Sequence, residues 1–235
     1  MVSVVVLTLN EADRIDSALR SASFASEVLV IDSGSTDGTV EKARALGARV
    51  EVWPWAGFVD TRNRALESAS QDHVFFLDAD EVISPELARA LQSPPDAGRV
   101  LRRNHFQDRE LHGSFGPTRV VRLVRRGGGR WVGEGVHETL DTDVEPLDLP
   151  GQLDHWPWRS DEERQLKLRR YATLFAQHST RRARWWDVAL RPPLHFVKSY
   201  LLMGGFRDGR LGLDLALDQA RYVRAKWAGL ARRQR

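Results

Sequence analysis

Cysteine is absent from all 235 residues, which excludes disulfides, thiolate nucleophiles and cysteine-ligated zinc or iron–sulfur centres. Long apolar runs are absent too. The opening Met-Val-Ser-Val-Val-Val-Leu-Thr-Leu has the length of a buried strand and lacks the charged n-region of a secretory signal. Leu194 to Phe206 comes nearest to a membrane span, but Lys198, Gly204 and Gly205 interrupt it, well short of the roughly 18–20 apolar residues needed. There is no Gly-x-Gly-x-x-Gly and no Gly-x-x-x-x-Gly-Lys, so neither a dinucleotide fingerprint nor a P-loop holds phosphate here. Internal repeats and low-complexity tracts are likewise missing. Lysine is scarce, 4 residues against 31 arginines, a skew from which no function follows. These absences lead to the expectation of a soluble or membrane-peripheral, cytoplasmic protein without thiol chemistry.

What is present is a chain that can fold. It is 42% apolar and 29% charged, enough for a real core in one large domain or a domain with an appendage. The net charge of +3 hides a gradient: residues 1–95 carry −7, residues 96–159 carry zero and residues 160–235 carry +10. An acidic front and a basic tail suggest different partners for the two ends.

The first hundred residues alternate strand and helix. Val2–Leu9, Val28–Ile31, Arg49–Val52 and Val74–Leu77 read as strands. Helical stretches lie between them, in Asn10–Ser23, Thr39–Leu46 and Arg62–Ala69. Ser84-Pro85-Glu86 opens a further helix, with Ser at the N-cap and Pro in the first turn. This alternation predicts βαβ units and an open parallel sheet. Ser93–Gly98 is the clearest break, and it divides the chain into 1–95, 96–159 and 160–235. In the middle part Val120–Val124 and Trp131–Val136 read as strands, and 141–159 as irregular. From Ser160 the chain reads as helical, opened by Ser160 and Glu163. Pro192-Pro193 is expected to break this helix, and a last helix follows Gly212.

Carboxylates cluster at the predicted strand ends. Asp32 ends the second strand, and Asp78, Asp80 and Glu81 follow the fourth. Open α/β sheets bind ligands outside the carboxyl ends of their strands. Two Asp one residue apart on extended chain point the same way, which suits Mg²⁺ or Mn²⁺ bridging to phosphates. A lone Asp-x-Asp is more often a helix cap. Its place after an apolar strand in a βαβ context favours the site.

Four segments together resemble glycosyltransferase family 2. They are Val-Val-Leu-Thr-Leu-Asn-Glu, then Val-Ile-Asp-Ser-Gly-Ser-Thr-Asp-Gly-Thr, then Thr61-Arg62-Asn63-Arg64-Ala65-Leu66, then Phe-Leu-Asp-Ala-Asp-Glu. They cover about residues 2–90. Later segments are similar to a bacterial branch that includes lipopolysaccharide-core β-1,4-glucosyltransferases. Among them are Arg122-Leu123 with Arg125-Arg126, Gly135-Val136-His137-Glu138, Leu153-Asp154-His155 and Gly205-Phe206-Arg207-Asp208-Gly209.

The resemblance implies an α/β GT-A fold: a Rossmann-like, mostly parallel sheet with a helical C-terminal extension. Residues 1–95 would be the nucleotide-sugar half, 96–159 the acceptor half and 160–235 the basic extension. It implies that Thr8, Asn10 and Glu11 line the nucleotide pocket, and that Asp32 accepts from the base, usually uracil. Arg62 would sit by the base or diphosphate, and Asp78 would face ribose or metal. Asp80 would ligate Mg²⁺ or Mn²⁺, with His155 as a further ligand or, equally, a structural histidine beside Trp156. Arg122 and His137 would contact the acceptor. The implied activity is metal-dependent, inverting transfer of a hexose from a nucleotide-sugar donor, UDP-linked by expectation. The acceptor would be a cell-envelope glycan or a lipid-linked acceptor such as lipopolysaccharide core.

Inverting transfer needs a general base within reach of the acceptor hydroxyl. Glu138 is the first choice and Glu134 the second. On extended chain the two share a face, so spacing does not separate them. Two other readings stay open: transfer to polyprenyl phosphate, and a non-catalytic nucleotide-sugar-binding protein. The Arg-rich tail with its aromatics suits an anionic membrane surface, or else helices packed with a solvated basic face. No nucleic-acid partner is expected.

Overall fold

The structure is a computed structural model that describes residues 1–133 and 138–234. Two compact units are distinguished. One comprises residues 1–103 and 118–155, the other residues 104–117 and 156–235. Within the expected segment 96–159, residues 104–117 and 156–159 therefore group with the C-terminal unit, and the others with the first.

The first unit alternates as its sequence pattern requires. Strands β1 (Val2–Thr8), β2 (Glu27–Asp32), β3 (Arg49–Val52) and β4 (His73–Asp78) are separated by helices α1 (Ile15–Ser21), α2 (Thr39–Ala45) and α3 (Phe58–Ser68). After β4 come β5 (Glu81–Ile83), helix α4 (Pro85–Ala90) and β6 (Ala97–Phe106). They are followed by β7 (Arg109–Glu110), β8 (Thr118–Arg125), β9 (Gly129–Val132), β10 (Thr139–Thr142) and β11 (Leu147–His155). The main sheet runs β3-β2-β1-β4-β8-β6-β11-β5. Its first four strands are mutually parallel. The β4–β8, β8–β6 and β11–β5 pairs are antiparallel.

The apolar runs are continuous because both faces of the parallel half are covered. Val4, Val6, Val30, Phe75 and Leu77 pack into one core, while their neighbours Val5, Leu29, Ile31, Val74 and Phe76 pack into the other. Side-chain direction alternates along a strand, so adjacent residues of one strand serve opposite cores.

Residues 141–159, expected to be irregular, contain all of β11 and the end of β10. Pro150 and Gly151 conceal β11 in the sequence, and the structure requires the second. Gly151 has φ +82°, and a Cβ there would meet the Leu87 backbone nitrogen at 2.4 Å. Only glycine lets β11 pass so near the start of α4. Ser84 Oγ accepts from Leu87 N (3.3 Å) and from Gln152 N (3.0 Å), so the helix cap also clamps β11. β11 then runs antiparallel to β5, with His155 opposite Glu81.

The second unit is mainly helical. It contains α5 (Asp161–His178), α6 (Trp185–Ala189) and α7 (Arg191–Val197), then a π-helical turn at Lys198–Leu202 and a 3₁₀ turn at Gly205–Asp208, and finally α8 (Gly209–Arg233). Ser160 caps α5 by accepting from Glu163 N at 3.2 Å. Pro192 and Pro193 do not interrupt a long helix. α5 already ends at His178, and the prolines occupy the first turn of α7, where a missing N–H costs no hydrogen bond. Phe106, Leu111, Trp158 and Leu215 form one small core of this unit. Val223, Trp227 and Leu230 form another.

Candidate functional site

The carboxyl ends of β1, β2 and β4 converge with the end of β11. At the first two, the chain reverses in loops that hold each other. Thr8 and Asp32 are register partners, and Thr8 Oγ1 donates to Asp32 Oδ2 at 3.0 Å. Asp32 is fully buried. Its Oδ1 accepts from Gly34 N and Ser35 N, both at 2.8 Å, and its Oδ2 accepts from the Ser35 hydroxyl as well. The carboxylate expected to meet the base thus shapes the 33–35 turn.

Asn10 adopts φ +56°, a left-handed conformation that Asn tolerates. It donates its backbone N–H to Ser35 Oγ (2.8 Å) and accepts from Thr36 N at its side chain (2.9 Å). Glu11 donates its backbone N–H to Thr39 Oγ1 at 2.9 Å, and its carboxylate pairs with Arg14 at 2.7 Å.

At the end of β4 the site is built on charge. Asp78 Oδ1 accepts from Arg62 Nη2 and Oδ2 from Arg122 Nη2, each at 2.7 Å. Burial alone would raise the Asp78 pKa, but the Arg122 and Arg62 guanidiniums outweigh it and hold the carboxyl far below the usual range. Glu81 is fully buried beside it. It accepts from Arg122 Nη2 (2.8 Å) and from Asp78 N (3.0 Å), and Arg102 stands 3.7 Å away. Burial, joined by the Asp78 charge, pushes Glu81 up against the pull of Arg122. Arg122 is itself held above its ordinary value because Asp78 and Glu81 outweigh the cost of its burial. Arg122, expected to contact an acceptor, is buried and sets the charge of these two carboxylates.

Asp80 faces a different neighbour. Its Oδ2 stands 3.5 Å from His155 Nε2 and 3.8 Å from Arg14 Nη1. Burial would raise the Asp80 carboxyl, but His155 and Arg14 hold it below the usual range. The two members of Asp-x-Asp are therefore unequal: two arginines occupy Asp78, while Asp80 pairs with a histidine that is itself a good metal ligand.

Arg62, on α3, is buried, with its guanidinium 4.3 Å from the Trp131 ring centre. Its Nη2 lies 3.8 Å from Glu138 Oε1. Among the described residues, neither Nε nor Nη1 of Arg62, nor Oε2 of Glu138, has a hydrogen-bond partner. Buried polar atoms left this way are costly, which marks this corner as one that a polar ligand would complete. Glu134 and His137 lie outside the described residues. Sequence reading assigned no role to Glu81, Arg14, Arg102 or Trp131. Glu81 was visible beside Asp80, whereas the others are identified only by strand register and packing.

The family model for Glycosyl transferase family 2 matches residues 3–128. The chain belongs to that family. Its α/β unit, parallel in the first half and carrying carboxylates at the strand ends, is the GT-A architecture expected from the motifs. The family match ends just beyond β8, so it spans the Asp78, Glu81 and Arg122 cluster.

The chain is similar to lipopolysaccharide core biosynthesis glycosyltransferase LpsC of Rhizobium meliloti (strain 1021). Identity is 29% over 94% of this chain and 88% of the relative. It is 45% identical to an uncharacterized glycosyltransferase of Rickettsia bellii (strain RML369-C) over 37% of this chain, although that alignment covers only 30% of the rickettsial protein. Among solved structures, a glucosyl-3-phosphoglycerate synthase from Mycobacterium tuberculosis in complex with Mn²⁺, UDP and glucosyl-3-phosphoglycerate aligns at 31% identity. It covers 45% of this chain and 44% of that one, with a TM-score of 0.38.

Proposed function

We propose that the protein transfers a hexose, with inversion, from a UDP-linked donor to a cell-envelope acceptor of the lipopolysaccharide-core kind. The reaction would run on the cytoplasmic side, with 160–235 toward an anionic membrane surface. The acceptor class rests on the rhizobial relative, whose alignment runs nearly end to end. The observation that carries the chemistry is the contrast within Asp-x-Asp: Asp78 is clamped by two arginines, and Asp80 stands 3.5 Å from His155.

That pair fits a divalent cation of restricted kind. Among the described residues, no three His, Asp or Glu side chains could hold a metal by themselves. Asp80 and His155 would supply two ligands, and diphosphate oxygens and water the rest, as is usual for Mg²⁺ at phosphate sites. When bound, the cation would neutralise charge on the departing diphosphate.

The chain's own residues do the remainder. Thr8, Asn10 and Glu11, tied to the 33–39 loop, shape the nucleoside end. Asp32 fixes that loop, and Ser35 is the group that would yield if the base were to reach its carboxylate. Arg62 keeps Nε and Nη1 for a phosphate or sugar oxygen. Glu138 Oε2 takes the proton of the acceptor hydroxyl as that oxygen attacks the anomeric carbon. Glu134 is the alternative base and His137 a contact for the acceptor.

The test combines calorimetry with turnover. UDP-sugar should bind in the presence of Mn²⁺ and much more weakly without it. Asp80→Ala should remove the metal dependence. Glu138→Gln should lower turnover by about 10²- to 10⁴-fold with donor affinity unchanged. Absence of any metal-dependent nucleotide-sugar binding would overturn the reading. Transfer to polyprenyl phosphate that ignores Glu138→Gln would instead favour an already ionised acceptor.

A further inference from the structure

The C-terminal unit carries a surface that glycosyl transfer does not explain. Leu190, Leu194, Val197 and Leu201 follow one another at intervals of four, three and four residues, so they form one stripe along the helical stretch from α7 into the π turn. All four are exposed, Leu194 at 66%. Trp185 (70% exposed) stands at one end of the stripe in sequence, and Leu202 (80%) and Phe206 at the other. Contiguous apolar exposure on this scale marks an interaction site.

The charges around the stripe are sorted by burial. Between residues 181 and 210 there are seven Arg and Lys residues, and every one is exposed. The segment has two acids, Asp187 and Asp208, and both are buried. Asp187 accepts from Arg184 N at 2.8 Å and pairs with Arg191. Asp208 accepts from His112 N and Gly113 N, both at 2.8 Å.

The underside of the segment is anchored while the stripe is bare. Ser199 Oγ donates to Ser114 Oγ at 2.8 Å. A Cβ on Gly212 would lie 1.8 Å from the Gly205 carbonyl oxygen, so the two backbones meet where only glycine fits. The 3₁₀ turn is fixed there, and Phe206 is left exposed.

We propose that residues 185–206 are a docking face for an anionic phospholipid bilayer, with the stripe entering the interface and the cations engaging headgroup phosphates. An apolar face rimmed by cations, with no accessible acid between residues 181 and 210, complements that surface and no neutral one. A second copy of the chain fits poorly, because seven like charges would meet seven. Among the described residues no helix is long and apolar enough to cross a membrane, so the segment lies on the bilayer. The inference places the membrane contact in 185–206 within the broader 160–235. It does not depend on the transferase chemistry, and donor binding measured alongside keeps the two separable.

The full chain should co-sediment with vesicles of phosphatidylcholine and phosphatidylglycerol, and not with phosphatidylcholine alone. Raised salt should weaken the binding. Leu194→Glu with Leu202→Glu should lower it by about tenfold or more. Arg207→Ala with Arg210→Ala should lower it by about fivefold per charge removed. Brominated lipid should quench tryptophan emission less in Trp185→Phe than in the parent. All of these variants should keep the parental melting temperature and UDP-sugar affinity. Equal binding to neutral vesicles, no binding to anionic ones at low salt, or undiminished binding by Leu194→Glu with Leu202→Glu would each overturn the proposal. So would a concentration-dependent dimer that the same variants dissolve.

Discussion

The two units balance their buried charge differently. In the first, two arginines, Arg62 and Arg122, are buried with two acids, Asp32 and Glu81, and Asp78 is more accessible than the arginines that hold it. In the second, three acids, Asp187, Asp208 and Asp218, are buried with one arginine, Arg164, and most cations are displayed. The lesson concerns the charge gradient of −7 to +10 along the chain. It is not a uniform field but the outcome of local choices about which charges to desolvate and with which partners. The two buried guanidiniums keep Asp78 ionised and in place. A buried carboxylate fixes backbone N–H groups and leaves a cationic surface free for something outside.

Arg122 is the strongest place to break this contrast. Arg122→Met strands buried Glu81 and half of Asp78, and removing one partner of a buried ion pair costs about 3–5 kcal/mol. Chemical denaturation should show a loss of that order, together with lost donor binding. The acid limb should change as well. Asp78 has its folded pKa depressed, so its contribution is complete above about pH 4, where the unfolded Asp is already ionised. It is lost as pH falls through that range toward the folded pKa. Without Arg122 the depression is smaller, so stability should fall less steeply between about pH 4 and pH 2. A parental acid limb in the variant would mean that Arg62 alone holds Asp78.

Much of this was legible in the sequence, for reasons that also set its limits. β1, β2 and β4 were readable because both faces are covered, which makes their apolar runs continuous. Ser84-Pro85 and Ser160 with Glu163 were readable because cap chemistry is local. The carboxylates at strand ends followed from both. β11 was not readable, since Pro150 and Gly151 imitate a loop unless the start of α4 is known to lie against Gly151. The partners of Asp78 were not readable either. Arg122 reaches it only because β8 runs antiparallel to β4, with Leu123 opposite Phe75. His155 reaches Asp80 only through the pairing of β11 with β5. Long-range register of this kind leaves no mark on neighbouring residues. Pro192-Pro193 open a helix here rather than break one, because proline suits a helix's first turn as well as its end.

Asp218 offers the smaller and more discriminating test. It is buried on α8 and holds Arg164, whose guanidinium also lies 5.7 Å from the Phe106 ring centre and pairs with Asp161. Asp218→Asn keeps shape and removes charge. Arg164 retains Asp161 and its aromatic neighbours, so the loss should be about 1–3 kcal/mol, less than for Arg122→Met. Because the acid belongs to the helical unit, UDP-sugar affinity should not change, whereas Arg122→Met should abolish it. Thermal unfolding with calorimetry on the two variants checks both statements. If Asp218→Asn weakened donor binding as Arg122→Met does, the two units would share one electrostatic frame, and the contrast between a balanced buried cluster and a mainly acidic one would lose its functional meaning.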